Sequence, residues 1–154
     1  MPHHLNVVLI EPQIPSNTGS IGRVCLATGA TLHLIEPLGF EITDSRLKRA
    51  GLDYWKHLNL VRHTNIEEFF AALEEDTPMV FFSKKAEALY FDHRFQAGSC
   101  LIFGKETSGL PEDLLEKFSE TVYKVPQYDD RVRSLNLANV VTLALYEAIR
   151  QLGP

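Results

Sequence analysis

Short apolar runs alternate with amphipathic stretches along nearly the whole chain. Leu5–Ile10 (LNVVLI) is a β-branched run stopped by Glu11-Pro12, and Thr31–Ile35 (TLHLI) is another stopped by Glu36-Pro37. Between them, Pro15-Ser16-Asn17 is a start signal and Gly29 a stop, which predicts a helix over Asn17–Ala27. The pattern continues with an amphipathic Ile66–Leu73, strands at Met79–Phe82 and Cys100–Phe103, and a helix over Pro111–Phe118 with Pro in its first turn. A strand at Thr121–Val125 ends at Pro126. The longest helix is expected over Asn136–Leu152, apolar at Val140, Val141, Leu143, Ala144, Leu145 and Ile149. Continuous apolar strands joined by helices predict an α/β fold, an open and mainly parallel sheet flanked by helices. The tetrapeptide LIEP, at residues 9–12 and again at 34–37, marks two equivalent strand ends.

Composition adjusts this picture only slightly. The 154 residues fit one domain, read as 1–154, and 45% hydrophobic with 23% charged residues is ordinary for a globular chain. Charged residues interrupt every apolar run, so no membrane span is expected, and the N-terminus lacks the pattern of a secretory signal. Cys25 and Cys100 sit in apolar segments and read as buried thiols of a reducing, cytosolic protein. Without a CxxC pair or clustered Cys/His spacing, no metal site is expected. The formal charge of −5 does not point to nucleic acid, but Arg46, Lys48, Arg49, Lys56, His57, Arg62 and His63 form one basic cluster. By itself that cluster is equally a solvated surface. His57 and His63 read as surface or RNA-facing, Phe69-Phe70 as core, and Tyr54-Trp55 as core with base stacking left open.

Ligands of open α/β sheets bind beyond the carboxyl ends of the strands, and three segments rich in glycine, polar and special residues fall there. In Pro15–Arg23 (PSNTGSIGR), Arg23 stands among apolar neighbours and calls for an anion or a carboxylate; pairing with Glu11 is the alternative. In Leu101–Pro111 (LIFGKETSGLP), a buried strand runs into Gly104 and a turn carrying Glu106. The spacing matches neither a phosphate loop nor a dinucleotide fingerprint. In Val132–Asn139 (VRSLNLAN), Ser134 or Asn136 is placed to cap the last helix, and the second asparagine hints at a polar ligand. No GxSxG or HExxH signature offers hydrolase chemistry.

Together, Asn17-Thr18-Gly19-Ser20-Ile21-Gly22-Arg23, FGKETSGLP at Phe103–Pro111 and RSLNLAN at Arg133–Asn139 followed by Tyr146-Glu147 resemble the SPOUT superfamily of RNA methyltransferases. The resemblance covers essentially the whole chain. IEPLGF at Ile35–Phe40 and RLKRAGLDYW at Arg46–Trp55 narrow it to the small bacterial branch that methylates the ribose of nucleotide 34, C or U, in leucine tRNAs. The resemblance implies a C-terminal deep trefoil knot, a homodimer, tRNA as partner and S-adenosylmethionine as cofactor. The cofactor would be held by Phe82, Ser83, Phe103, Gly104, Glu106, Gly109, Val125, Ser134 and Leu135. It further implies a catalytic set of Arg23, Glu106, Ser134, Asn136 and Asn17, with Glu106 orienting Arg23 or the ribose, and RNA contacts from Arg46, Lys48 and Arg49. Lys105, Ser108 and Ala138 depart from residues frequent in relatives and bear on substrate detail. Two other readings remain open: a ribose methylase of another tRNA site or of rRNA, and a non-catalytic RNA-binding protein with a vestigial pocket.

Overall fold

The computed structural model describes residues 3–42 and 54–154. Six parallel strands, β1 (Asn6–Ile10), β2 (Thr31–Ile35), β3 (Leu60–His63), β4 (Met79–Phe82), β5 (Cys100–Phe103) and β6 (Val122–Tyr123), form one sheet in the order β3-β2-β1-β5-β4-β6. Its described helices are α1 (Pro15–Thr28), α2 (Ile66–Ala72), α3 (Glu112–Lys117) and α4 (Leu137–Leu152). Side chains alternate across each strand. Leu101 and Phe103 of β5 join the core beneath α1 and α4, while Cys100 and Ile102 face Phe69 of α2 and Leu114 of α3. Both faces of the sheet are covered, as the unbroken apolar strands require.

The two LIEP segments lie side by side, with Leu9 opposite Leu34 and Ile10 opposite Ile35. β3 was not foreseen, because its sequence LVRH reads as part of the basic cluster. In an edge strand the outward residues are free to be polar, so Val61 and Arg62 are exposed while His63 turns inward and is buried. The expectation of a surface or RNA-facing His63 is therefore corrected. Its Nε2 lies 3.0 Å from His33 Nδ1, and His33 Nε2 lies 3.0 Å from Asn6 Oδ1, so one polar chain crosses β1, β2 and β3. Arg62 leaves the basic cluster as well, pairing with Glu36 at 3.4 Å. Pro111 is the N-cap of α3 rather than a first-turn residue.

Helix α1 begins two residues earlier than expected, with Pro15 at its first position and Ile14 as an N-cap that has no side-chain acceptor. Two glycines, two threonines, two serines and an asparagine make PSNTGSIGRVCLAT a poor helix by propensity. Packing supplies the difference. Gly22 leaves room for Trp55, whose ring carbons would lie 2.3 and 2.9 Å from a Cβ there, and α4 packs along α1. Tyr54-Trp55 thus serves the fold: Trp55 packs on the core and the Tyr54 ring lies under Arg23.

Candidate active site

The strand order turns back at β1, whose neighbours are β2 and β5, and the loops leaving β1 and β5 meet there. Such a reversal opens a crevice at the carboxyl edge of a parallel sheet. Glu106 closes the junction. Its Oε1 accepts from the Gln13 N–H at 2.8 Å, and its Oε2 accepts from the Ile14 N–H at 2.9 Å and from Asn17 Nδ2 at 3.3 Å. A carboxylate from the β5 loop therefore stands in for the missing cap of α1, where backbone N–H groups favour negative charge.

An ionised carboxylate only accepts, so the Asn17 amide must turn its NH2 towards Glu106. Asn17 Oδ1 then accepts from Asn136 Nδ2 at 3.1 Å, which leaves Asn136 Oδ1 for the N–H groups of Ala138 and Asn139 at 2.9 and 3.4 Å. Asn136 is the cap of α4, and Ser134 is not. Residues 17, 106 and 136, far apart in sequence, thus form one directed hydrogen-bond chain that joins two helix starts through a loop.

Arg23 lies apart from this chain. It is six residues beyond Asn17 on α1, so it turns to another face, is exposed, and stacks over Tyr54 at 5.6 Å from the ring centroid. The expectation that Glu106 orients Arg23 is corrected, because the carboxylate is engaged by Gln13, Ile14 and Asn17. The alternative of an Arg23–Glu11 pair is not found either: Glu11 faces Lys105 at 3.6 Å.

The residues named for a cofactor gather by register. Phe82 pairs with Phe103 and with Tyr123, so Ser83, Gly104 and Lys124 leave three adjacent strands at the same edge. The Phe82 and Phe103 rings stack at 4.8 Å inside the core, which leaves their backbone as the surface available to a ligand. Gly104 tolerates no side chain, since a Cβ would lie 2.1 Å from the Gly109 carbonyl carbon. The 104–110 loop therefore folds flat on itself, with the Gly109 N–H bonded to Lys105 O at 2.9 Å. Gly109 has φ +69°, and a Cβ there would meet nothing within 4 Å, so the outer side of this turn is open. A groove of about 900 Å³ is lined by Lys84, Gln127, Tyr128, Asp129, Asp130, Val132 and Arg133. It runs from the neighbour of Ser83 to the neighbour of Ser134, both named for the cofactor. Backbone groups, small residues and an open groove at one edge fit an uncharged heterocycle with a polar tail.

Arg46, Lys48 and Arg49 lie outside the described residues, so the expected RNA surface is not placed. The sequence reading missed Gln13, whose contacts come from a loop more than ninety positions away. Among the described residues, no helix is long and apolar enough to cross a membrane.

The chain is 46% identical over 150 residues to a tRNA (cytidine(34)-2'-O)-methyltransferase of Burkholderia cenocepacia, covering 96% of each chain. A solved structure described as giving structural insights into 2-OH methylation of C/U34 on tRNA superposes with a TM-score of 0.94 at 46% identity, covering 99% of this chain and 98% of that one. The AviRb methyltransferase of Streptomyces viridochromogenes in complex with the cofactor AdoMet superposes with a TM-score of 0.84 at 28% identity, over 98% of this chain and 58% of that one. The sequence profile of the SpoU rRNA Methylase family matches residues 4–146, a span that takes in all three site segments; the chain belongs to that family.

Proposed function

We propose that this protein transfers the methyl group of S-adenosylmethionine to the ribose 2'-hydroxyl of the wobble nucleotide of tRNA, C34 or U34, with leucine tRNAs as the acceptors. The observation that carries the reading is the Glu106–Asn17–Asn136 chain, which draws the three family segments to one edge of the sheet. Relatives that share the fold along their whole length are named for this reaction.

When bound, S-adenosylmethionine supplies an electrophilic methyl on a sulfonium. Phe82, Ser83, Phe103, Gly104, Glu106, Gly109, Val125, Ser134 and Leu135 would hold it, mostly through backbone groups. The protein's task is alignment, bringing the hydroxyl behind the methyl and excluding water. Arg23 is permanently protonated, so it serves to grip the phosphate of the target nucleotide rather than to remove a proton. Its place over Tyr54 fixes the direction in which the guanidinium points. Asn17 and Asn136, held in one orientation by Glu106, keep the two helix starts at a fixed separation around the ribose.

The wider reading is of a single cytoplasmic methyltransferase domain over residues 1–154. Its C-terminal segment is read as a deep trefoil knot. Support comes from the path of the chain, which leaves β6 at one edge of the sheet and returns at Asn136 to Asn17 near the centre. It is also read as a homodimer through α1 and α4, where Leu143 and Tyr146 are exposed. Arg46, Lys48 and Arg49 are assigned to the tRNA backbone.

Incubation with methyl-labelled S-adenosylmethionine and bulk tRNA, followed by nucleoside analysis, tests the proposal. Label in 2'-O-methylcytidine or 2'-O-methyluridine at the first anticodon position supports it. Label in rRNA alone replaces the substrate, and no label in any RNA overturns the assignment.

A further inference from the structure

The β1 and β5 loops are joined by a second contact that runs opposite to the first. Gln13 gives its N–H to Glu106, and its side-chain Oε1 accepts from the Thr107 N–H at 3.1 Å and from the Thr107 hydroxyl at 2.8 Å. Two donors of one residue converge on one oxygen. The backbone of Gln13 is held from the other side by the β2 loop, where the Gly39 N–H bonds to Pro12 O at 2.9 Å. Gly39 approaches so closely that a Cβ would lie 2.8 Å from the Gln13 Cα. Gln13 is thus a fixed post against which the Glu106–Thr107 segment is tied, while the far side of the same loop, at Gly109, opens on empty space.

We propose that Gln13 is a positioning residue for the methyl donor: its side-chain oxygen holds Thr107 so that the 104–110 loop has its binding shape before the donor arrives. The inference rests on the reading that this loop holds S-adenosylmethionine. Ordering the loop in advance removes part of the entropy cost of binding, so affinity registers the contact directly. The requirement at position 13 is an acceptor at the reach of a glutamine. Glutamate meets it and leucine does not.

Calorimetry of S-adenosylmethionine with the full chain tests this through binding alone. Gln13→Leu is expected to raise Kd about tenfold, Thr107→Ala about threefold because its N–H remains, and Gln13→Glu less than about threefold. The double variant Gln13→Leu/Thr107→Ala should be no weaker than Gln13→Leu, and amide exchange over residues 104–110 should quicken in Gln13→Leu. Affinity for tRNA without the donor should stay at the wild-type level. Wild-type affinity in a folded Gln13→Leu, or equal losses in Gln13→Leu and Gln13→Glu, would overturn the proposal. If Gln13→Leu does not fold, Thr107→Ala decides, and unchanged affinity there is the overturning result. The wild-type protein separates the two readings: donor binding without tRNA labelling removes the substrate assignment and leaves the Gln13 comparison intact. Absence of donor binding removes both.

Discussion

Two imidazoles whose facing nitrogens lie 3.0 Å apart on adjacent strands cannot both be cationic, because one of those nitrogens must accept. His33, with one nitrogen on Asn6 and the other on His63, is held neutral by burial first and by its neighbour second, and its pKa falls to about 4. His63 is also lowered by burial, although Glu68 pulls the other way. A histidine depressed in the folded state contributes stability that is complete above its unfolded value of about 6.5. That stability drains as pH falls towards about 4, because only the unfolded chain takes up the proton in that window. The urea midpoint should therefore drop between pH 7 and pH 4.5, and His33→Gln should shrink the drop; an equal drop in the variant would refute this account. Burial likewise lifts Cys25 to about 12 and Cys100 to about 11, consistent with the plain thiols expected from sequence. At the same scale, Arg23→Ala should abolish methylation while leaving the affinity for S-adenosylmethionine nearly unchanged. Equal loss of both would move Arg23 into the cofactor site.

Helix α4 announces itself in the sequence, from Asn136 to the last leucine, because its apolar spacing and its cap are local. Helix α1 announces its body and its stop at Gly29 but not its first turn, because its cap comes from a residue about ninety positions away. Nothing near Pro15 says that Glu106 will accept from Gln13 and Ile14. The three segments were legible as special by residue type, whereas their hydrogen-bond order was not, since a chain such as Glu106–Asn17–Asn136 exists only after the sheet has brought its loops together. β3 escaped because an edge strand with charged outer positions lacks the apolar run by which the central strands are recognised. Asn136 separates local from long-range roles. Asn136→Ala should cost roughly 1–2 kcal/mol of unfolding free energy, by loss of the cap and of the Asn17 contact. Asn136→Asp keeps the cap oxygen and loses only the donor to Asn17, so in chemical denaturation it should fall between wild type and alanine. If the two variants were equal, the cap would contribute nothing.

For the molecule as a whole, the sheet and its two covered faces follow from pattern alone, while assembly depends on surfaces that pattern does not rank. Leu143 and Tyr146 of α4 are 43% and 51% exposed, an apolar investment that a second copy would cover. On the proposed dimer, replacing both by glutamate should shift the protein towards a monomer in sedimentation. A double variant that sediments as the wild type does would refute this face as the dimer contact. The cap of α1 has a bearing on the order in which the chain is built. A ribosome has released α1 and β2 long before it reaches Glu106, so the nascent helix, weak by composition, has no acceptor for the Gln13 and Ile14 N–H groups at its start. The site cannot exist on any partly synthesised chain. It is assembled only when the second half arrives, and an abandoned N-terminal fragment offers the cell no half-formed pocket.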